Sequence, residues 1–288
     1  MDEQAALGLI GDRLSAAGDD CAVVDGQVVT TDMLHERTDF PAGTTRYTAG
    51  WRAVGASLSD VAAMGATATA AVAVYAAPEF DEAALSAFLD GATDVCETVG
   101  AEYVGGDLDG HEEFTVATTA LGEADDPVLR SGASPGEALC VTGTLGRTAA
   151  AIRLFDRGET EDANELFRFP PRVAAGRALA PYATAMLDSS DGLARSVHQL
   201  CGASGCGAAL SAPLPIDDRV DAVANGAEDR RELGVFFGED FELVCAVPER
   251  DLAAARAGTP CPLHRVGTVT ESGITLDGTS LPDRGYSH

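Results

Sequence analysis

The chain has 288 residues, which is enough for one large domain or two moderate ones, and 45% of them are hydrophobic, as in ordinary folded proteins. Its net charge is −27, and it contains no lysine, so its 19 strongly basic residues are all arginine. Such a chain offers no basic patch for a phosphate backbone, which argues against nucleic acid as a partner. No apolar run approaches the ~20 residues of a membrane span, and the first residues are acidic, so we expect a cytoplasmic protein without a signal peptide or membrane association.

The acidic excess has two interpretations. A strongly acidic surface keeps a protein dissolved in a high-salt cytoplasm, and this halophilic adaptation accounts for most of the 46 acidic residues. Acids inside otherwise apolar motifs need a separate explanation, because a carboxylate in such surroundings requires a partner. The seven cysteines form no Cys-x-x-Cys pair, which favours buried, reduced thiols over structural zinc or disulfides.

The first half of the chain predicts strands alternating with helices. Residues 22–31 have the pattern of a hairpin around Asp25-Gly26, and a helix at 80–99 is expected to end at Gly100. The other elements predicted here are a helix at 50–65, a strand at 68–76, a short strand ending at Val104 and a strand at 113–122. The turn-rich segment 125–136 marks the expected boundary between an N-terminal domain, residues 1–126, and a C-terminal domain, residues 127–288.

The second half continues this alternation. Predicted strands are 138–142, 184–187, 207–210 and 241–247, with two short strands at the end of the chain. Predicted helices begin near residue 147, at Pro171 and at Asp191, and a further one spans 249–257. Residues 157–169 are charged and lack apolar periodicity, which predicts a mobile loop. The whole pattern is typical of an α/β protein with two lobes.

Short motifs that combine aspartate with glycine, serine or threonine recur next to the predicted strands. They are Gly18-Asp19-Asp20, Thr30-Thr31-Asp32, Ser59-Asp60, Gly105-Gly106-Asp107 and Asp188-Ser189-Ser190-Asp191. Carboxylate and hydroxyl oxygens gathered at strand ends are ligands that Mg²⁺ prefers, and magnesium held by many aspartates suggests a polyphosphate ligand. The sequence has no P-loop and no lysine to complete one. Metal ions, arginine and backbone amides must then balance the phosphate charge.

Each motif taken alone has a structural alternative. The acids at 19–20 and the glycines at 105–106 suit simple turns, and Ser190 or Asp191 could cap the following helix. Ser59 or Asp60 could act as an internal helix cap, although Asp60 lies in a long stretch with few charges. The segment GEDFEL at 238–243 places three acids just before and within a predicted strand. The combination, rather than any single motif, indicates a metal-dependent phosphoryl-transfer enzyme.

The motifs also occur in a fixed order along the chain. They are GDDCAV at 18–23, TTDML at 30–34, LSDVAAMG at 58–65, GGD at 105–107, LRSGASPG at 129–136, VTGTLG at 141–146, PRV at 171–173, SDGL at 190–193 and GEDFEL at 238–243. This set resembles the thiamine-monophosphate kinase family of the aminoimidazole-ribonucleotide synthetase-like superfamily, from about residue 8 to the C-terminus. The resemblance implies a two-lobed α/β (α+β) fold with an N-terminal mixed sheet that forms a homodimer and a C-terminal α/β lobe. It also implies that ATP and several Mg²⁺ ions are used to convert thiamine phosphate to thiamine diphosphate.

The resemblance further implies roles for individual residues. The implied metal ligands are Asp20, Thr30, Thr31, Asp32, Asp60, Asp107, Asp188 and Asp191. The implied ATP contacts are Gly106, Asp107, Arg130 and Ser190. Among the metal ligands Asp32, Asp60 and Asp191 are expected to be catalytic, and Asp39, Glu239 and Tyr286 are expected to line the substrate pocket.

One segment departs from the family pattern. Family members commonly carry Gly-x-His-Phe where this chain has Arg37-Thr38-Asp39-Phe40. Asp39 therefore takes the place of a histidine near the substrate, where it could pair with the cationic thiazolium ring, and nearby His35 could substitute. Two other functions remain as alternatives: another ATP-using enzyme of the superfamily, resembling aminoimidazole-ribonucleotide synthetase, or a non-catalytic nucleotide-binding sensor.

The implied acceptor is a phosphate monoester, which is already a dianion at neutral pH because its second pKa is ~6. No general base is then required, and the main obstacle is repulsion between two anions. We therefore expect direct in-line transfer assisted by Mg²⁺.

Overall fold

The N-terminal half of the chain forms a five-stranded sheet. The computed structural model describes residues 9–11, 13–14 and 16–285 of the protein. Its strands are β1 (Ala22–Val24), β2 (Gln27–His35), β3 (Thr67–Ala77), β4 (Glu102–Gly110) and β5 (Thr115–Glu123). They lie in the order β1-β2-β5-β3-β4, and every neighbouring pair is antiparallel except β3 and β4. The predicted hairpin is confirmed, since β1 and β2 turn at Asp25-Gly26, where both residues have positive φ.

Three helices accompany this sheet: α1 (Glu36–Asp39), α2 (Arg46–Ala63) and α3 (Glu82–Val99). The hydroxyl of Thr45 caps α2 by accepting a hydrogen bond from the Thr48 amide. Gly100 ends α3 in the left-handed conformation, as predicted. The two long helices pack backbone to backbone, because a Cβ at Gly50 would lie only 2.1 Å from the carbonyl oxygen of Phe88.

The C-terminal half forms a seven-stranded sheet in the order β12-β11-β8-β10-β6-β9-β7. Its strands are β6 (Ala138–Thr142), β7 (Ala185–Asp188), β8 (Gly207–Leu210), β9 (Leu243–Val247), β10 (Leu263–Thr270), β11 (Ile274–Leu276) and β12 (Thr279–Ser280). The helices of this half are α4 (Arg147–Asp156), α5 (Thr160–Phe167), α6 (Val173–Leu179), α7 (Leu193–Ser204), α8 (Asp218–Val223), α9 (Ala227–Val235) and α10 (Leu252–Gly258). Strands β6 and β9 are buried at every position, which is why both consist almost wholly of apolar residues.

Helix α2 lies between the two lobes and is buried along most of its length. Its alanine, glycine and serine side chains are small enough for both lobes to approach it closely. A Cβ at Gly176 of α6, for example, would lie 2.0 Å from the carbonyl oxygen of Ala62. Apolar side chains from both halves form one continuous core around this helix. Residues on α2 can therefore contact groups from either lobe.

The prediction of a mobile loop at 157–169 is wrong, since α5 occupies most of this segment. The four carbonyls of residues 166–169 all accept hydrogen bonds from side chains of other elements. The donors are Arg147 to Leu166 and Arg168, Arg52 to Phe167, and Trp51 to Phe169. These partners order the segment together with the buried side chains of Ala163, Leu166 and Phe167. Three apolar residues in an eight-residue helix are too few to establish a periodicity in the sequence.

Two predicted strand ends are also wrong. Strand β2 continues to His35, so Thr30, Thr31 and Asp32 lie in its middle, and β4 continues through Gly105, Gly106 and Asp107. Helices α1, α8 and α9 were not predicted, whereas the strands at 138–142 and 207–210 are confirmed at both ends. The domain boundary at residues 126/127 stays a prediction, and described residues 124–137 contain no helix or strand. Every helix in the described part of the chain is too short or too polar to cross a bilayer.

Candidate active site

Three aspartates from distant parts of the chain meet where the lobes join. Asp20 lies just before β1, Asp60 is on α2, and Asp188 is the last residue of β7. One carboxylate oxygen from each lies within 4.8 Å of the other two. We call Asp20, Asp60 and Asp188 the aspartate cluster. Oxygen atoms gathered in this way are the ligand set of a hard divalent cation.

The cluster has too few cationic partners for its charge. Burial raises the pKa of Asp20 to about 8, although Arg130 opposes this shift, and raises the pKa of Asp188 to about 6. Burial, followed by the charges of Asp32, Asp188 and Asp20, raises the pKa of Asp60 well above its usual value. In addition, Oδ2 of Asp20 is buried without a hydrogen-bond partner among the described residues. These carboxylates therefore require either protons or a metal ion.

Hydroxyl groups orient the carboxylates. Thr30 donates to Asp60 at 2.5 Å, and Ser59 donates across the lobe junction to Asp188 at 2.7 Å. Because side chains alternate along β2, Asp32 shares a face of the sheet with Thr30. The hydroxyl of Ser57 donates to Asp32 at 2.6 Å.

Asp32 and Asp191 lie close enough to the cluster to affect it electrostatically. Asp32 raises the pKa of both Asp60 and Asp188, and Asp191 raises that of Asp188. Asp191 follows β7 by three residues, and the amide of Gln199 lies 3.4 Å from its Oδ2. Five of the predicted aspartates are thus brought into one neighbourhood.

The side chains of two other predicted metal ligands lie elsewhere. Thr31 is on the opposite face of β2 from Thr30, and its hydroxyl donates to the carbonyl of Thr118 at 2.8 Å. Asp107 is exposed on the edge strand β4. Its neighbour Gly106 packs against β3, since a Cβ there would lie 1.8 Å from the Ala73 oxygen. Strand packing therefore explains this glycine without a ligand.

Arg130 connects the aspartate cluster to the segment between the sheets. Its guanidinium donates to Asp20 at 2.9 Å, and its backbone amide donates to Asp19 at 3.1 Å. Cys21 follows these acids in sequence. Burial, followed by the charges of Asp60 and the other cluster acids, raises the pKa of its thiol strongly. Cys21 is therefore a neutral thiol and is unsuited to act as a nucleophile.

The three acids of GEDFEL at 238–243 lie near the lobe junction and are satisfied individually. Glu239 forms an ion pair with Arg52 at 2.8 Å, and Glu242 forms a two-pronged pair with Arg172 at 2.7 and 2.5 Å. Asp240 accepts hydrogen bonds from the amides of Gly146 and Thr148 at the start of α4, at 2.5 and 3.0 Å. The predicted substrate contact of Glu239 thus falls on a side chain that already has a cationic partner.

The sequence reasoning missed Arg52 and Arg172 as partners of these acids. Arg52 could have been noticed by the argument used for Asp60, because it is a charged residue within a largely apolar helix. Arg172 is in the PRV segment at 171–173, but no spacing rule connects it with Glu242, which is 70 residues away.

Of the residues predicted near the substrate, the structure describes Asp39 and His35 but not Tyr286. Asp39 is buried, and its Oδ2 accepts from the His35 amide at 2.6 Å and from the Thr38 hydroxyl at 2.8 Å. The ring of His35 lies 3.1 Å from the hydroxyl of Thr115. Tyr286 lies outside the described residues. The assignment of these residues to the substrate pocket stays a prediction.

Two family models match this arrangement. Residues 18–124 match the N-terminal domain of AIR synthase related protein, and residues 134–277 match its C-terminal domain. The first match covers the N-terminal sheet, and the second covers nearly all of the C-terminal one. Fold and site together define the class as AIR synthase related proteins.

Relatives within this class define the family more closely. The thiamine-monophosphate kinase of Halobacterium salinarum is 62% identical over the whole of both chains. That of Methanospirillum hungatei is 39% identical over 94% of this chain and 92% of the relative. A solved structure described as AaThiL complexed with AMPPCP and TMP superposes with a TM-score of 0.90, at 26% identity over 99% of this chain and 96% of that one. The chain belongs to the thiamine-monophosphate kinase family.

Proposed function

We propose that the protein transfers the terminal phosphoryl group of ATP to thiamine monophosphate, which gives thiamine diphosphate and ADP. The observation that carries this proposal is the aspartate cluster, whose acids lie at the lobe junction of a chain belonging to the kinase family. A solved structural relative is described as a complex with AMPPCP and TMP, which supports ATP as the co-substrate and thiamine monophosphate as the acceptor.

Magnesium fits this donor set. Asp20, Asp60 and Asp188 have raised pKa values and Asp20 has an unpartnered oxygen, and binding of a hard cation would satisfy both features. We propose that these three residues hold Mg²⁺, with Thr30, Asp32 and Asp191 available for further ions, and that Thr31 and Asp107 contribute only if their surroundings change on binding. When bound, magnesium would neutralise phosphate charge, a task that this lysine-free chain otherwise leaves to arginine and backbone amides.

The chemistry needs no general base, because the acceptor phosphate is a dianion at neutral pH. The thiol of Cys21, the residue after Asp20, stays neutral. The residues of the site therefore position two anions for in-line attack and exclude water. We assign phosphate contacts to Arg130 and Ser190, and we keep Gly106 as a predicted ATP contact through its backbone.

We further propose that the protein is a homodimer joined through its N-terminal sheets. The face of this sheet that carries Thr31 exposes the apolar side chain of Met33, which is 58% accessible, and Val74 on β3 is 40% accessible. Exposed apolar side chains on one sheet suit an interface between copies. Met33→Glu is expected to yield monomers in sedimentation velocity, whereas an unchanged mass would contradict this interface.

The decisive test incubates the protein with ATP, Mg²⁺ and thiamine monophosphate in molar potassium chloride and follows thiamine diphosphate by chromatography. Product that requires all three components supports the proposal, and Asp60→Asn should abolish it. Binding of ATP with no product from thiamine monophosphate across a range of salt concentrations would contradict it. That result would favour a nucleotide sensor, or a superfamily enzyme with another acceptor.

A further inference from the structure

The guanidinium of Arg52 is buried at the junction of the two lobes, with 1% of its side chain exposed. It lies on α2, in the N-terminal half, but all its hydrogen bonds reach the C-terminal half. It donates to the Phe167 carbonyl at 3.0 Å, to the Glu239 carboxylate at 2.8 Å and to the Glu239 carbonyl at 3.3 Å. The ring of Phe167 lies 3.8 Å from the guanidinium carbon.

The turn that Arg52 contacts is strained. Gly238, Glu239 and Phe241 all have positive φ, at 86°, 58° and 54°. The left-handed conformation is unfavourable for a non-glycine residue, because its Cβ crowds the neighbouring carbonyl oxygen. Two such residues within one short turn persist only if other contacts hold them. Arg52 supplies such contacts by binding both the side chain and the carbonyl of Glu239. The Thr148 hydroxyl also donates to this carbonyl, at 2.6 Å, so the Glu239 carboxylate is the contact that depends on Arg52.

The turn at 238–241 is hydrogen-bonded to the loop that carries Asp188 and Asp191. The amide of Glu239 donates to the Ser190 carbonyl at 2.6 Å, and the amide of Phe241 donates to the Ser189 carbonyl at 3.2 Å. In the other direction, the Ser189 amide donates to the Glu242 carbonyl at 2.7 Å. The backbone between the two aspartates is therefore held by the strained turn.

The same face of α2 reaches the aspartate cluster directly. Ser59 follows Arg52 by seven residues, or two helical turns, and donates to Asp188. Between them, Ala56 packs with Phe169 and Phe241. One stripe of α2 thus contacts the strained turn at one end and the cluster at the other.

We propose that Arg52 is a positioning residue for phosphoryl transfer. By pairing with Glu239 it keeps the turn at 238–241 in its strained conformation, which in turn places Asp188 and Asp191 opposite Asp60. This inference rests on the proposed kinase function. It assigns Glu239 to the lobe junction rather than to a direct contact with thiamine.

The test compares Arg52→Met, Arg52→Lys and the matched control Trp51→Phe. Trp51 immediately precedes Arg52 on α2 and also joins the two lobes, by a hydrogen bond to the Phe169 carbonyl at 2.8 Å. This bond does not involve the turn at 238–241. Hydrogen exchange of residues 188–193 and 237–243 is measured by mass spectrometry without ligands. Steady-state kinetics with thiamine monophosphate are measured in parallel.

Arg52→Met is expected to speed exchange in both segments at least tenfold and to lower kcat about 100-fold, with KM for thiamine monophosphate changed less than threefold. Arg52→Lys should recover part of kcat, and Trp51→Phe should leave both segments protected. Unchanged exchange at 188–193 in Arg52→Met, or a loss confined to KM, would overturn the proposal. If Arg52→Met does not fold, Glu239→Gln replaces it with the same expectations. A wild-type protein without kinase activity would contradict the proposed function alone, because the exchange measurement does not depend on it.

Discussion

The aspartate cluster and the GEDFEL segment at 238–243 place the same kind of side chain near the same lobe junction, with opposite results. In the cluster, Asp20, Asp60 and Asp188 face one another. In GEDFEL, each acid faces its own donor: Glu239 has Arg52 and Glu242 has Arg172. The number of acids therefore does not distinguish a functional site from a structural one. The supply of donors does.

Asp240 shows that the aspartate cluster and the GEDFEL segment differ only in degree. Burial raises its pKa to about 7, although two backbone amides at the start of α4 oppose this shift. In the cluster, neighbouring acids add to the effect of burial on Asp60. The charge of Glu242 also raises the pKa of Asp240, but Arg52 and the two amides oppose the shift. The balance of repulsion against donors therefore distinguishes the two regions, and removing one carboxylate should affect them in opposite ways.

The largest expected effect is on catalysis. Asp60→Asn and Asp188→Asn are each expected to lower kcat by about 10³-fold or more, because a charged ligand is lost where phosphate charge must be balanced. Each should also raise the metal-free melting temperature, since like-charge repulsion is relieved. Turnover of thiamine monophosphate and thermal unfolding without metal check the two parts. Asp125→Asn, which removes an exposed acid, is the control and should change neither.

The next largest effect is on stability in the paired region. Glu242→Gln leaves the guanidinium of Arg172 without its buried counter-charge, so the free energy of unfolding is expected to fall by about 3–5 kcal/mol. The control is Glu249→Gln, which breaks an exposed pair with Arg265 and should cost less than about 1 kcal/mol. Urea unfolding at constant potassium chloride measures both. Equal losses would show that burial does not decide the contribution of these pairs.

The sequence predicted the cluster better than it predicted the elements carrying it. Asp60 was identified because a carboxylate in a helix with few charges needs a partner, and the cluster is such an arrangement. The expectation that the motifs mark strand ends holds for Asp188 but is wrong for Asp32, which lies in the middle of β2. Two strands of one sheet can continue past polar residues when only one face is buried, and a local pattern does not report which face that is.

The paired region could not be predicted, because its contacts are distant in sequence. Arg52 and Glu239 are 187 residues apart, and Arg172 and Glu242 are 70 apart. The same limitation explains the segment 157–169. Its carbonyls are satisfied by Arg52, Arg147 and Trp51 from other helices, so its order depends on tertiary contacts rather than on its own composition.

A third, smaller effect concerns pH in the metal-free protein. Asp188 has a folded pKa of about 6 against an ordinary 3.8, so its charged form destabilises the folded state above pH 6. This penalty, on the order of 3 kcal/mol, should disappear as pH falls from about 7 towards 4, and the free energy of unfolding should rise. Asp188→Asn should flatten this part of the profile. Mg²⁺ should bind more tightly as pH rises, because protons must leave the same carboxylates. Stability of the metal-free protein that falls steadily between pH 7 and 5 would contradict the shifts.

The smallest expected effect comes from the hydroxyl that joins the lobes at the cluster. Ser59 donates to Asp188 and lowers its pKa, so Ser59→Ala should move the pKa of Asp188 further upward. We expect about 1 kcal/mol of stability to be lost, together with an upward shift of the pH at which half-maximal activity is reached. Thr259→Val is the control. Thr259 is the C-cap of α10, and its buried hydroxyl donates to the Ala255 carbonyl of the same helix. This variant should lose similar stability without moving the pH profile. If both variants behave alike, the Ser59 hydroxyl contributes packing but does not tune the cluster. A shift in Ser59→Ala alone would show that even one donor at this site changes how its carboxylates hold charge.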